Sequence, residues 1–148
     1  MEGMEIDDIT GVIVDAAVKI HRDLGSSLFE SVYEMALASV LDRRGLGVVR
    51  QQPIGFSYEG VTLEHGFRAD LVVEGCVLVE LKVEDRLTPI HRKQLLTYLR
   101  LGDFPVGLVL NFGAPTMKEG IKRLVNDLPP SPSSPLRVNR LRAVRDTS

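Results

Sequence analysis

Glu80 and Lys82 stand two residues apart in the run Val77-Leu78-Val79-Glu80-Leu81-Lys82, and Asp70 precedes Glu80 by ten residues. Strand alternation puts Val77, Val79 and Leu81 on one face and Leu78, Glu80 and Lys82 on the other. A carboxylate and an ammonium thus leave the same side of a strand that otherwise reads as buried. Charges in such a place must be paired or bind metal, because desolvating them alone costs on the order of several kcal/mol. Asp70 lies in Phe67-Arg68-Ala69-Asp70-Leu71-Val72-Val73, and Glu74-Gly75 separates the two runs. If that break is a hairpin turn, Asp70 and Glu80 can converge on one cation. A hard divalent ion such as Mg²⁺ takes oxygen ligands and keeps several waters. It can acidify an attacking water and neutralise a phosphodiester, with Lys82 beside it to position that water. The competing reading is an ordinary Glu80–Lys82 or Asp70–Arg68 ion pair at the end of a sheet.

The elements that must position these groups follow from periodicity. Ile9, Ile13, Ala16, Ala17 and Ile20 recur at helical spacing and predict a helix over about 7–22, ended by Gly25. Ser27 opens a second helix whose apolar stripe comprises Phe29, Val32, Tyr33, Ala36, Leu37, Val40 and Leu41, and which stops at Arg43-Arg44-Gly45. The period then changes to short runs rich in β-branched and aromatic residues between Val48 and Lys82. Glu59-Gly60 and Glu74-Gly75 have the form of hairpin turns, so an antiparallel meander is expected. A helix from Pro89 to about Leu101, an apolar strand from Phe104 to Asn111 and an amphipathic helix from Pro115 to Val125 complete the order ααββββαβα. This is an α/β sandwich with a mixed central sheet flanked by helices. Residues 1–126 form one domain on this reading. Residues 127–148, rich in Pro, Ser and Arg, are expected to be a disordered tail.

Composition narrows the function classes. At 148 residues and 44% hydrophobic the chain can bury a real core, mostly aliphatic since there is no Trp. A single cysteine, Cys76, excludes an internal disulfide framework and a thiolate zinc site, and fits a reducing compartment. The acidic start MEGMEIDDIT lacks a signal-peptide pattern, and no run reaches the roughly 18 apolar residues of a membrane helix. A cytoplasmic, non-membrane protein is therefore expected. The net charge of −2 argues against a broad basic DNA-binding surface. Four arginines against two aspartates in 127–148 leave the body more acidic still, so any contact with DNA or RNA must be local and bridged in part by metal. No G-x-x-x-x-G-K-[ST] phosphate loop and no G-x-S-x-G nucleophile turn occurs.

Four motifs in order, Leu24-Gly25-Ser26-Ser27-Leu28-Phe29-Glu30-Ser31-Val32-Tyr33, Phe67-Arg68-Ala69-Asp70-Leu71, Val79-Glu80-Leu81-Lys82 and Gln94-Leu95-Leu96-Thr97-Tyr98-Leu99, resemble the GxxExxY protein family over roughly residues 7–125. That family is placed in the PD-(D/E)xK nuclease superfamily. The resemblance implies a restriction-endonuclease-like fold and a catalytic set of Glu30, Asp70, Glu80 and Lys82. Glu30, Asp70 and Glu80 would hold Mg²⁺ or Mn²⁺, with Gln94 and Tyr98 behind them. It implies hydrolysis of DNA or RNA without naming a substrate. The same fold used as a catalytically silent binding module is the alternative, and a homodimer would suit paired strand cuts.

The chain departs from the family where its glycine is replaced by Ser27. Ser27-x-x-Glu30 is also a capping box, in which Glu30 would fold back on the Ser27 backbone rather than face metal. Tyr33, one turn on, reads equally as a core aromatic with its hydroxyl on a neighbour. Gln94 and Tyr98 share a helix face, and Arg92 and Lys93 are either phosphate contacts or a solvated face. His21 sits where the family often carries a histidine; by position alone it is a helix C-terminal histidine facing the dipole. His65 and His91 have no partner at metal-binding spacing, and Cys76, which opens a strand with no evident base nearby, reads as structural.

Overall fold

A computed structural model describes residues 4–127. The tail expected over 127–148 therefore lies outside the described residues, apart from Asp127. The elements are α1 (Ile6–Leu24), α2 (Glu30–Arg43), β1 (Val48–Tyr58), β2 (Val61–Val73), β3 (Val77–Lys82), α3 (Pro89–Gly102), β4 (Val106–Asn111), α4 (Met117–Gly120) and β5 (Ile121–Val125). The strands make one sheet in the order β1-β2-β3-β4-β5. β1–β2, β2–β3 and β4–β5 pair antiparallel, and β3–β4 pair parallel through the α3 crossover. The α/β sandwich and its mixed sheet are as the periodicity predicts.

Alternation along the central strands divides the core in two. Val77, Val79, Leu81, Leu108 and Leu110 pack with Ile13, Ala16, Ala17, Leu37 and Leu41 from α1 and α2. Leu78 and Val109 pack with Leu95 and Leu99 from α3. Glu80 and Lys82 share the parity of Leu78, so they belong to the α3 side of the sheet.

The element order differs from ααββββαβα at two places, giving ααβββαβαβ. The residues from Val48 to Val73 form two long strands, where the sequence reads as more and shorter ones. Gln51-Gln52-Pro53 looks like a break, yet β1 continues through it, with Gln51 at φ 51° and a register shift between Ile54 and Phe56. Pro53 is tolerated because β1 is the sheet edge. The turn at Glu59-Gly60 does form, with positive φ at both residues, the geometry that matches strand twist. At the other end, the expected helix over Pro115–Val125 shrinks to the four residues of α4, and Ile121–Val125 becomes a strand. Gly120 packs so closely on the Asn111 carbonyl that a side chain there would collide with it. The β-branched Ile121 and Val125 then pair with Leu110 and Val106. Ile121, Leu124 and Val125 fit a helical and an extended period alike, and the open edge of β4 decides.

Two local devices fix the loops around the site. Tyr33 is fully buried, stacks on Phe112 at 4.5 Å, donates its hydroxyl to Gly25 O at 2.6 Å and accepts from Leu28 N at 3.2 Å. It thereby ties the α1–α2 connection to the start of α2. Asn111, also fully buried, accepts from Glu84 N and Gly113 N and donates to Glu84 O, each at about 3 Å. Gly113 lies against the Glu84 backbone, at 2.5 Å from where a Cβ would stand. Tyr33→Phe keeps the ring stack but leaves the Gly25 carbonyl and Leu28 N–H without this partner. It should cost about 1–2 kcal/mol in urea denaturation with the sheet intact.

Candidate active site

The site is built where β2 and β3 part. Their ladder runs Val73↔Val77, Val72↔Leu78 and Leu71↔Val79, and the next pair would set Asp70 opposite Glu80. There the main-chain pairing gives way to side chains. Asp70 Oδ2 accepts from Leu81 N at 2.9 Å, and Glu80 Oε1 accepts a longer bond from Asp70 N at 3.4 Å. The hairpin expected at Glu74-Gly75 is present, with Glu74 at φ 52° and Gly75 at φ 67°. The two carboxylates therefore meet as its geometry requires. β3 meanwhile stays paired to β4 as far as Lys82↔Asn111, so its end is rigid where β2 has left it.

Glu80 is 7% exposed, and among the described residues neither Glu80–Lys82 nor Asp70–Arg68 comes within ion-pair distance. The ordinary ion-pair reading thus has no geometry behind it. Burial first, and then the Asp70 charge, push the Glu80 carboxyl from its usual 4.5 up to about 8. A buried carboxyl in this condition is either protonated or balanced by a cation from outside.

Glu30 is the first residue of α2, whose N-cap is Phe29 without a side-chain cap bond. The Ser27–Glu30 capping box does not form, because the helix starts two residues later than the box requires. Glu30 instead sits in the first turn, where the helix dipole favours a carboxylate. Its pKa is raised by burial and by Asp70, with Lys82 opposing and Glu34 and Glu84 adding. Glu30 thus stands in the field of Asp70 and Lys82. Among the described residues, no three His, Cys, Asp or Glu side chains converge as a ready-made metal cage. The arrangement is a two-carboxylate platform with a third carboxylate nearby.

The other expected site residues divide. Gln94 donates to the Tyr98 hydroxyl at 3.1 Å, and the Tyr98 ring stacks on Phe67 at 4.1 Å, three residues before Asp70. His21 and Tyr33 meet Phe112 instead of the carboxylates, at 6.5 and 4.5 Å between rings, and His21 Nε2 bonds Ala114 O at 2.9 Å. Cys76 is buried and its thiol is pushed up to about 11 by burial, consistent with a structural role.

Sequence reasoning missed three groups. Glu34 is 5% exposed and accepts from Arg50 and Gln51. Its signal was available, since a charge at position 34 falls in phase with the buried Leu37, Ala38 and Leu41. Gln51 also reaches Asp70 Oδ1 at 3.4 Å. Glu84, held through its backbone by Asn111, pairs its carboxylate with His91 Nε2 at 2.8 Å. His91 Nδ1 in turn accepts from Thr88 N at 3.1 Å, closing the start of α3. Neither Gln51 nor His91 had a sequence signature.

A family model of the PD-(D/E)XK nuclease superfamily matches residues 7–124, from α1 into β5. The chain belongs to that superfamily. No curated protein and no solved structure matches it. PD-(D/E)XK nucleases generally use divalent metal ions, and the donor set here fits one. Mg²⁺ is usually held by one or two carboxylates, its remaining places filled by water and substrate phosphate, rather than by an all-protein cage. Among the described residues, no helix is long and apolar enough to cross a membrane.

The Glu80 carboxyl makes stability pH-dependent without metal. Below pH 4.5 it is protonated in both folded and unfolded chains. Between 4.5 and about 8 the unfolded chain releases a proton that the folded one keeps, so stability falls as pH rises through this window. Glu80→Gln should remove the Glu80 part of that fall and leave the part due to Glu30, whose pKa is also raised. In metal-free buffer it should raise the melting temperature by on the order of 5 °C at pH 8 while leaving it near the parent value at the acid end. Differential scanning calorimetry across the range checks both parts.

Proposed function

We propose that this chain is a metal-dependent nuclease that hydrolyses phosphodiester bonds in DNA or RNA, using Mg²⁺ or Mn²⁺. The meeting of Asp70 and Glu80 at the parted ends of β2 and β3, with Lys82 two residues on, carries the proposal. Superfamily membership supports it. Within the superfamily we assign the chain to the GxxExxY group on its Glu30–Tyr33 and Gln94–Tyr98 motifs.

Asp70 and Glu80 are the metal ligands in this proposal. A bound divalent ion would supply an acidified water and charge neutralisation at the scissile phosphate. Lys82, at the end of β3, has three donors and no acceptor, so it can hold the attacking water by its lone pair and steady charge that grows on phosphate oxygens. Glu30, with its raised pKa, can accept a proton from that water or supply a further ligand oxygen. Gln94 is tied to the hydroxyl of Tyr98, whose ring stacks on Phe67, and can orient the substrate strand.

The full chain, incubated with Mg²⁺ or Mn²⁺ and single- and double-stranded DNA and RNA, should cleave at least one of them and lose activity in chelator. Lys82→Ala should reduce the rate by about 100-fold or more, with metal affinity retained. A variant that cleaves as well as the parent overturns the role of Lys82. A metal-induced rise in melting temperature with no cleavage of any substrate would favour the nuclease-like fold acting as a binding module.

A further inference from the structure

Among the described residues, Gln51 is one of four non-glycine residues with positive φ, and it alone of them lies within a strand rather than at a turn or helix end. The left-handed region is unfavourable for a residue with a side chain, and where a fold maintains it the surroundings must over-determine it. Here they do. The flanking pairs Arg50↔Leu71 and Gln52↔Ala69 keep register, while Gln51, in line with Asp70, drops out of the ladder. The twist turns the carboxamide toward the carboxylates. Gln51 Nε2 donates to Glu34 Oε1 at 2.5 Å and, over a longer distance, to Asp70 Oδ1 at 3.4 Å.

Glu34 is in turn fixed from its other side. Its Oε2 accepts from both Nε and Nη2 of Arg50, at 3.2 and 3.0 Å. With Oε2 on Arg50 and Oε1 on Gln51, the buried carboxylate holds the amide in one orientation, both of its hydrogens committed. Asp70 is then held at both oxygens, Oδ2 by the Leu81 main chain and Oδ1 by Gln51. The donor's chemistry matters. A lysine or arginine at position 51 would neutralise Asp70 and compete with a cation, whereas an amide orients the carboxylate and leaves its charge. Such outer-shell partners typically change metal affinity 10- to 100-fold when removed.

We infer that Gln51 is a positioning residue for the Asp70 carboxylate, aimed by the Arg50–Glu34 pair and kept in a left-handed conformation for that purpose. This rests on the reading of Asp70 and Glu80 as metal ligands. The competing view is that Gln51 only bridges two like charges and serves the fold.

The two views separate in Gln51→Gly and Gln51→Asn. Glycine accepts the backbone conformation freely but has no amide, and asparagine tolerates the same conformation but is one methylene too short to span Glu34 and Asp70. Mn²⁺ titration calorimetry on the full chain, with metal-free melting temperatures measured alongside, is the experiment. Both variants should bind Mn²⁺ at least tenfold more weakly than the parent, and Gln51→Gly should melt no lower than Gln51→Asn. Mn²⁺ affinity within twofold of the parent in either folded variant overturns the inference. A parent that binds no Mn²⁺ at millimolar concentration overturns instead the assignment of Asp70 and Glu80 as ligands.

Discussion

The site depends on one exchange of hydrogen-bond partners. After Leu71↔Val79 the β2–β3 ladder stops, and the Leu81 N–H is taken by the Asp70 carboxylate in place of a main-chain carbonyl. Had β2 continued alongside β3, the space beside Glu80 would have been closed by the neighbouring strand. Because Asp70 satisfies the freed donor itself, β2 can diverge without orphaning a buried N–H, which would cost about 1–3 kcal/mol. The divergence leaves Glu80 buried in the sheet at the point where the strands part. A carboxylate at a strand interior, a second one across the parting strands and a lysine at the strand end then follow from a single interruption of pairing.

The electrostatics around the parted strands set stability against function. Five carboxylates, Glu30, Glu34, Asp70, Glu80 and Glu84, influence one another around Lys82. One of them, Glu34, is paired with a permanent cation, Arg50, and Glu84 pairs with the His91 ring. Glu80 has no such partner and holds a proton more tightly than a free carboxyl does. A fold optimised for stability alone would place an apolar residue there, in phase with Leu78. On the proposed reading that place is reserved for a cation, in keeping with a superfamily of nucleases that generally use divalent metal ions.

How far the sequence discloses this depends on the range of the interactions. The Asp70–Glu80 juxtaposition was legible because it needs only a hairpin at Glu74-Gly75 and strand alternation, both local rules. The two-faced core was legible for the same reason. Glu34 was half-legible: its position betrays a buried charge, but not that Arg50 and Gln51 receive it. The continuation of β1 through Gln51-Gln52-Pro53 was not legible, since it rests on a left-handed residue held by side chains from α2 and β2. The strand at Ile121–Val125 was hidden because its apolar spacing suits two periods. The unpaired edge of β4, a property of the assembled sheet, decides between them.

The remaining constraint is on the far side of Lys82. β3 and β4 are the only parallel pair among the described strands, so their carboxyl ends point the same way, toward the connections where open α/β sheets usually bind ligands. Asn111, at the end of β4, grips the backbone of Glu84 through both its N–H and its C=O, and Phe112 N donates to Lys82 O at 2.8 Å. The segment leaving Lys82 is thereby fixed to the neighbouring strand by one main-chain hydrogen bond and a buried amide. Gly113 allows this approach, since any side chain there would meet the Glu84 backbone. Lys82 is consequently anchored from β4 and Asp70 from β1, through Gln51, while Glu80 between them is held by burial. Lys82 and Asp70 are thus referred to different neighbouring strands. The parting of β2 from β3 can therefore persist as a defined geometry rather than as a frayed edge.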